Sequence, residues 1–360
     1  MPAMAEYRSL GKSGLRVSVP VLGGMSFGSS KWIPWVVPEE QGLKILKAAW
    51  DLGINTIDTA NVYSNGESER TIARFMSKVL ELPTSFHPVP FQRCLTHQYN
   101  IPRKNLVIMS KAWGLVSPDV SVMAPMIPGL ADTRDYVNQG GLSRTALFNA
   151  LDAILTRLDT PYLDLFQIHA FDAGTPIEET MKALHDLVIS GKVRYIGACN
   201  LKMWQFAEMN HVAERNGWTQ FVSIQIEHSL LYRAEELEML AYCNFEGVGI
   251  LSWAPLMNGQ LARPLGTETS RSQMLKGTPF EKKIRESDAE IIKRVEKLAA
   301  DHSWPMSQVA LSWTLSKVSS PIVGVNKPER VQESIVTGKM LKADEVKYLE
   351  EPYEFQPPRM

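Results

Sequence analysis

The stretch Gly53-Ile-Asn-Thr-Ile-Asp-Thr-Ala-Asn-Val-Tyr-Ser-Asn-Gly-Glu-Ser-Glu69 passes from a short apolar segment directly into acid-base chemistry. Its centre, residues 56–60, is partly β-branched and apolar, which favours a buried strand. The turn-forming Ser64-Asn-Gly66 and a glutamate-rich segment follow, and they indicate a loop and then a helix start. Asp58 and Tyr63 are therefore expected where a strand ends in a loop.

Asp58 and Tyr63 allow two interpretations at this point. A tyrosine ionises at about pH 10 in water. A tyrosine that exchanges protons at neutral pH therefore needs a nearby positive charge that lowers its pKa. A lysine would have to come from another part of the chain. The same two residues also suit a helix-capping aspartate and a tyrosine that only packs.

Strand and helix patterns alternate along the rest of the chain. The predicted strands cover residues 21–27, 56–60, 106–113, 163–170, 193–200, 221–227, 247–254 and 321–325. The predicted helices cover residues 39–52, 67–80, 143–158, 177–189, 203–216, 234–244, 288–302, 306–315 and 328–336. Residues 7–19, around Gly11-Lys-Ser-Gly14, predict a small hairpin before the first of these strands.

Nearly continuous apolar strands that alternate with helices are typical of a parallel sheet buried on both faces. A single α/β domain over residues 1–360, a closed (β/α)8 TIM barrel with an N-terminal β-hairpin, accounts for all the predicted elements. An open, doubly wound sheet is the alternative. Gly23-Gly-Met-Ser-Phe-Gly28 lacks the spacing of the dinucleotide-binding fingerprint that such sheets usually display.

Composition excludes several classes of partner. Lys plus Arg is 38 and Asp plus Glu is 39, a formal charge of −1, which argues against nucleic acid or an anionic membrane as the main partner. Cys94, Cys199 and Cys243 form no Cys-x-x-Cys pair, so we expect no disulfide framework and no structural metal site. The N-terminus has no apolar core of a signal peptide, and we expect a cytoplasmic protein.

Three segments interrupt the regular alternation. Residues 112–141 and 257–286 follow predicted strands, and in a barrel such loops lie over the mouth, where substrates bind. Trp113, in the first of them, is the predicted substrate contact because its aromatic side chain suits an apolar ligand, although plain packing over the rim would explain it about as well. Residues 80–97 are proline-rich and aperiodic where a short return loop is usual, and we interpret them as an irregular insertion, either genuine or a retained intron.

Polar residues stand at the predicted carboxyl ends of successive strands, which meet at one mouth in a barrel. Lys111, at the end of an apolar strand, would be a costly buried cation unless an acid such as Asp58 neutralised it. A lysine held there favours ionisation of Tyr63, and His169 could hydrogen-bond a substrate oxygen. Singly, Lys111 and His169 could be ordinary structural residues. Together they suit proton delivery to a carbonyl oxygen while a cofactor supplies hydride.

The sequence resembles the aldo-keto reductase family over almost its whole length. Asp58-Thr-Ala-Asn-Val-Tyr63 with Glu69, Ser110-Lys111 and Gln167-Ile-His169 match the family's motifs for a catalytic Asp, Tyr, Lys and His. Residues 58–66, 176–185 and 191–198 are most similar to the fungal branch that includes versiconal hemiacetal acetate reductase and the aryl-alcohol dehydrogenases. The resemblance implies NADPH-dependent reduction of an aldehyde or ketone, aromatic or typical of fungal secondary metabolism, with Tyr63 as proton donor.

The resemblance also implies that NADPH or NADP+ binds extended across the mouth. Asn200 and Gln225 match positions that hold the nicotinamide carboxamide, and Trp253 matches the aromatic residue that stacks on the ring. Ala254 and Leu256 would line the path of the pyrophosphate.

Residues 324–334 match the family's loop for the adenosine phosphate. Arg330 is the candidate for the 2′-phosphate, assisted by Lys327, because a guanidinium fork fits phosphate oxygens. By the same resemblance Glu333 would face the adenine, and Gly324 and Ser334 would complete the site.

Some positions depart from the family pattern. Cys199 stands where many relatives have serine, and Ser334 where many have asparagine. Gly324 occupies a place that some branches fill with a phosphate-binding lysine, so the NADPH preference depends on Arg330. A non-catalytic NADP(H)-binding regulatory subunit, of the channel β-subunit type, is the alternative function because the same fold serves that purpose. The sequence leaves the substrate and the oligomeric state open.

Overall fold

The structure is a computed structural model that describes residues 3–76, 101–277, 281 and 283–359. Within these ranges the strands are Glu6–Ser9 (β1), Arg16–Val19 (β2), Val21–Gly23 (β3), Phe27–Gly28 (β4), Val37–Pro38 (β5), Thr56–Asp58 (β6), Val107–Ala112 (β7), Leu163–Ile168 (β8), Val193–Cys199 (β9), Ser223–Glu227 (β10), Gly249–Trp253 (β11) and Ser320–Val323 (β12). The α-helices are Glu39–Asp51 (α1), Glu67–Met76 (α2), Arg144–Leu158 (α3), Ile177–Ile189 (α4), Met203–Arg215 (α5), Met239–Glu246 (α6), Ser270–Leu275 (α7), Glu286–His302 (α8), Met306–Leu315 (α9), Glu329–Gln332 (α10) and Ala343–Glu350 (α11).

Eight strands of the described chain close into a barrel in the order β10-β11-β12-β3-β6-β7-β8-β9. Every neighbouring pair is parallel, so all the carboxyl ends lie at one mouth. The pairing aligns Asp58 with Met109, Lys111 with Gln167, and Gln225 with Cys199. The predicted TIM barrel is confirmed, and the open doubly wound sheet is excluded.

The predicted N-terminal hairpin is also present, because β1 and β2 pair antiparallel. Leu10, Leu15 and Val17 of the hairpin pack with the inward side chains of barrel strands, among them Met109. Gly11 has a φ of +61°, and a Cβ there would lie 2.4 Å from the backbone nitrogen of Gly249, at the start of β11. The hairpin therefore closes the end of the barrel opposite the mouth with apolar side chains.

Helices cover the outside of the barrel; α1 buries one apolar face, whereas α9 is buried on nearly all sides. In α1 the buried residues include Leu43, Ile45, Leu46 and Ala49, the face predicted from the sequence. The Ser143 hydroxyl accepts a hydrogen bond of 3.2 Å from the Ala146 amide, which makes Ser143 the predicted N-cap of α3.

Some element boundaries differ from the predictions. The predicted helix 234–244 begins as a 3-10 turn over Ala234–Glu236 before α6, and the predicted helix 328–336 is the short α10. Two helices were not predicted, α7 and α11. In α11 Leu349 is fully buried, and Val346 and Tyr348 pack half-buried against the same apolar cluster.

Both predicted mouth loops follow barrel strands at their carboxyl ends. The 112–141 loop contains 3-10 turns at Ala124–Met126 and Leu130–Asp132, and the 257–286 loop contains α7. The predicted insertion at residues 80–97, with Cys94, lies outside the described residues, whereas Cys199 and Cys243 are buried free thiols. No helix within the described ranges is long and apolar enough to cross a membrane.

Candidate active site

A buried ion pair lies at the centre of the mouth. Lys111 on β7 places its Nζ 2.5 Å from Oδ2 of Asp58 on the neighbouring strand β6, and the two side chains are 0% and 3% exposed. The Thr59 carbonyl accepts a second hydrogen bond from Nζ at 3.0 Å. Burial alone would lower the pKa of Lys111, but the Asp58 carboxylate and Tyr63 raise it overall, so the lysine is a cation at neutral pH.

Two glutamine side chains satisfy the second oxygen of Asp58. Nε2 of Gln167 donates to Asp58 Oδ1 at 3.0 Å, and Nε2 of Gln225 donates to the same oxygen at 3.1 Å. Gln225 also donates to Oε1 of Gln167 at 3.1 Å. Because every partner of the carboxylate is a donor, both of its oxygens act as acceptors and the side chain is held in one orientation. The sequence motif contains Gln167 but assigns it no role. A polar side chain within a buried apolar strand was the signal that could have indicated one.

Tyr63 lies at the start of the turn after β6, next to this pair. Its hydroxyl is 3.5 Å from Lys111 Nζ, at the long limit of a hydrogen bond. Burial is the largest influence on Tyr63 and raises its pKa to about 12, although the charge of Lys111 acts in the opposite direction. Lys111 therefore lowers the pKa of Tyr63 as expected, but burial raises this pKa by more. The phenol stays protonated at neutral pH, which is the state a proton donor needs.

His169 follows β8 and completes the group around Tyr63. The two rings meet edge to face, with centroids 6.0 Å apart and an interplanar angle of 82°. Burial, followed by the charge of Lys111, lowers the pKa of His169 to about 3, so the imidazole is neutral at physiological pH. A neutral imidazole can donate a hydrogen bond to a carbonyl oxygen without adding a charge to the site.

The residues predicted to hold the nicotinamide adjoin this group. Asn200 has a φ of +57°, accepts a hydrogen bond from Trp253 Nε1 at 2.8 Å and donates to the His169 carbonyl at 3.3 Å. Ala254, directly after Trp253, also has a positive φ, and Leu256 precedes the 3-10 turn Met257–Ala262. Gln225, as described, bonds Asp58 and Gln167 rather than standing free in the mouth.

Cys199 was noted from the sequence as a departure from the family pattern. It is 1% exposed and close enough to Lys111 and Asp58 to respond to their charges, although burial has the largest effect and raises its pKa to about 12. The residue is therefore a neutral thiol in the wall of the site.

The segment predicted for the adenosine phosphate, residues 324–334, runs from the end of β12 through α10, which contains Arg330. Arg330 is half-buried and donates from Nη1 to Asn326 Oδ1 at 2.6 Å, whereas Lys327, Glu333 and Gly324 are exposed. Ser334 is 3% exposed and donates its hydroxyl to the Val331 carbonyl at 2.6 Å. The structure thus places Arg330 and Lys327 at the surface of one short segment and turns Ser334 inward.

Two further arginines belong to the 257–286 loop, and sequence reasoning missed both. Burial lowers the pKa of Arg263, and the nearby charge of Arg330 lowers it further while Glu333 raises it. Burial lowers the pKa of Arg271 to about 10, and its guanidinium lies 4.3 Å above the ring of Trp35. Its buried Nε has no hydrogen-bond partner among the described residues, and a desolvated cation of this kind favours an incoming anion. The two arginines were missed because the irregular sequence of this loop predicts no position for its side chains.

One aromatic side chain lies next to Tyr63, and a second follows the end of β7. The ring of Trp32, a residue that sequence reasoning also missed, lies 6.5 Å from that of Tyr63 at an interplanar angle of 49°. Trp113, the predicted substrate contact, follows Ala112 at the end of β7 and is 39% exposed. Trp32 is 9% exposed, so the wall next to Tyr63 is apolar and largely closed.

Comparisons with known proteins agree with this fold. A model of the aldo/keto reductase family matches residues 21–354. An aldo-keto reductase of Fusarium vanettenii is 46% identical over 98% of this chain and 92% of its own length. Versiconal hemiacetal acetate reductase of Aspergillus parasiticus is 41% identical over 97% of both chains. A protein of Schizosaccharomyces pombe, provisionally named an aryl-alcohol dehydrogenase, is 40% identical over 96% of this chain and 95% of its own.

Proposed function

This chain belongs to the aldo/keto reductase family, and we propose that it reduces an aldehyde or ketone to an alcohol with NADPH, using Tyr63 as the proton donor. Family membership supports carbonyl reduction in general. The observation that supports the proton donor is the buried Asp58–Lys111 pair, whose Nζ lies 3.5 Å from the Tyr63 hydroxyl. In this proposal the reaction is reversible, with the tyrosinate accepting the proton when an alcohol is oxidised.

The roles of the side chains follow from their charges. The protonated phenol of Tyr63 gives its proton to the substrate oxygen, and Lys111 stabilises the tyrosinate that remains. Asp58 keeps Lys111 charged in a site where burial would otherwise neutralise it. The neutral imidazole of His169 orients the same substrate oxygen by a hydrogen bond.

The charge distribution of the mouth fits a phosphorylated cofactor. When bound, NADPH supplies the hydride that reaches the carbonyl carbon. Arg263 and Arg330 are close enough to repel each other, and a phosphate between them would relieve that repulsion. Arg271, with its unpartnered Nε, would hold a further anionic part of the same molecule. Asn200, Gln225 and Trp253 would hold the nicotinamide end.

An aromatic carbonyl compound is the substrate class that we propose. Trp32 next to Tyr63, with Trp113 at the end of β7, offers flat apolar surface to an aryl ring. The relatives whose names refer to aryl alcohols and to versiconal hemiacetal acetate support this class.

The proposal is tested by NADPH oxidation with a panel of aryl aldehydes and quinones. Tyr63→Phe should lower kcat by about 10²-fold or more and leave NADPH binding intact, because only the donated proton is lost. Tyr242→Phe, on α6 outside the barrel, is the matched control and should keep wild-type activity. Tight NADPH binding with no carbonyl-dependent oxidation by the wild type would refute the enzyme and favour the non-catalytic binding subunit.

A further inference from the structure

The turn that begins at Tyr63 has an unusual backbone. Ser64, Asn65 and Gly66 all have positive φ, at 48°, 50° and 92°. L-residues other than glycine avoid this left-handed region, although asparagine tolerates it better than most. Such a conformation persists only where the surrounding structure holds it in place.

The side chain of Asn65 fixes this turn through three hydrogen bonds. Its Nδ2 donates to the carbonyl oxygens of Asp119 at 3.0 Å and Val122 at 2.7 Å, and its Oδ1 accepts from the Ser117 amide at 3.0 Å. All three partners belong to residues 117–122 of the 112–141 mouth loop, and Asn65 is only 6% exposed. Two acceptors and one donor fit a carboxamide, and neither a carboxylate nor a hydroxyl could satisfy all three.

Other contacts hold the rest of the turn. The Ser64 hydroxyl accepts from the Ser29 amide at 3.3 Å. Arg157 lies directly beneath Gly66, where a Cβ would come 2.4 Å from its Cδ, and Arg157 pairs with the buried Glu69 at 2.5 Å. These contacts hold the flanks of the turn, whereas Asn65 is its link to residues 117–122.

The hydroxyl of Tyr63 has little tolerance for movement. It stands 3.5 Å from Lys111 Nζ, so a small outward shift would end that contact. Asn65 lies two residues after Tyr63, and the Asn65 amide bonds to the Val62 carbonyl at 3.1 Å. A change in the docking of residues 117–122 would therefore move the backbone that orients the phenol.

We propose that Asn65 is a positioning residue that couples the docking of the mouth loop, through residues 117–122, to the placement of Tyr63 against Lys111. This inference rests on the proposed function in one respect, that Tyr63 is the proton donor. The 112–141 loop, predicted to contact the substrate, thus also sets the position of the Tyr63 hydroxyl.

The test compares the wild type with Asn65→Gly, which keeps the preference for positive φ and removes the amide. Hydrogen exchange followed by mass spectrometry should show faster exchange both in residues 112–141 and in the peptide that contains Tyr63. The kcat for carbonyl reduction should fall by about 10²-fold, the loss that a misplacement of about 1 Å can cause, with NADPH affinity within about twofold of wild type. Asp159→Gly is the matched control, because Asp159 also has a positive φ but is exposed at the end of α3. This variant should leave hydrogen exchange and kcat unchanged.

A pH profile separates positioning from a general loosening of the structure. Alcohol oxidation needs the tyrosinate, so its rate rises as pH increases through the pKa of Tyr63. In Asn65→Gly the pH at which this rise occurs should shift, because displacing the phenol changes both its burial and its distance from Lys111, the two largest influences on its pKa.

Several outcomes would overturn the inference. Faster exchange confined to the loop, with unchanged kcat and pH profile, would do so, as would wild-type behaviour of Asn65→Gly in every measurement. If Asn65→Gly does not fold, Asn65→Asp replaces it. The aspartate keeps the acceptor for the Ser117 amide but loses both donated hydrogen bonds, because an oxygen then faces the carbonyls of Asp119 and Val122. If the wild type reduces no carbonyl compound, the proposed function fails, and the exchange data alone decide whether loop and turn are coupled.

Discussion

Replacing Asp58 by asparagine tests the electrostatic centre of the site. The carboxylate accepts hydrogen bonds on both oxygens, from Lys111 on one and from Gln167 and Gln225 on the other. An asparagine in the same place has one acceptor oxygen and one NH2 group. Whichever way the amide turns, its NH2 faces a donor, either the ammonium of Lys111 or the two glutamine amides.

The expected cost follows from the burial of the pair. Both side chains are almost completely buried, at 0% and 3% exposed, and removing one partner of such a pair lowers the free energy of unfolding by about 3–5 kcal/mol. Lys47 and Asp51 offer the matched comparison, because they form a Lys–Asp pair at the same 2.5 Å with side chains 37% and 54% exposed. Asp51→Asn should cost no more than about 0.5 kcal/mol.

The pH dependence of stability should change sign. In the wild type the pKa of Lys111 is raised above 10.5, so its contribution to stability is complete below pH 10.5 and is lost as pH rises through the higher folded value. Without Asp58, burial lowers the pKa of Lys111 in the folded state below that of the unfolded chain. The unfolded chain then binds more protons, and Asp58→Asn should gain stability as pH rises toward 10.5.

Urea denaturation at pH 7, 8, 9 and 10 measures both effects. The wild type and Asp51→Asn should show similar, shallow profiles, whereas Asp58→Asn should be least stable at pH 7 and recover as pH increases. The kcat of Asp58→Asn should also be lower, because a neutral lysine no longer stabilises the Tyr63 anion. A loss of stability in Asp58→Asn no larger than that in Asp51→Asn, or a profile without the upward slope, would refute the reasoning.

Two further predictions concern the cofactor and the histidine. Arg330→Leu should weaken NADPH binding by about 10- to 100-fold, because the charged hydrogen bonds of the guanidinium are lost. In fluorescence titrations the affinity for NADH should stay nearly unchanged. An equal loss for both cofactors would contradict a 2′-phosphate contact. Burial, with Lys111 second, lowers the pKa of His169 to about 3 from 6.5, so the native state should lose stability as pH falls from about 6.5 toward 3. His169→Gln should show a flatter acid limb in urea denaturation between pH 7 and 4, and an unchanged limb would contradict the neutral buried ring.

The barrel and the core of its site were predictable because the necessary information is local. Buried strands such as β7 and β8 are recognisable from their apolar runs, and a polar residue at the end of such a run is conspicuous. Lys111 and His169 could thus be grouped with Asp58 before any distance was known. The helix α11 was missed because it has only 8 residues, and so short a segment gives a weak periodic signal even though Leu349 is buried.

Sequence by itself determined the parallel barrel and the meeting of Asp58, Tyr63, Lys111 and His169 at its mouth, because the carboxyl ends of parallel strands in a closed barrel lie on one side. Only the tertiary structure decided which partners each of them has. Gln225 reaches Asp58 across 167 residues of chain, and Asn65 reaches a loop more than fifty residues away. Tyr63 stays protonated because burial outweighs the charge of Lys111. Such balances depend on distances and solvent exclusion that exist only once distant segments have packed together.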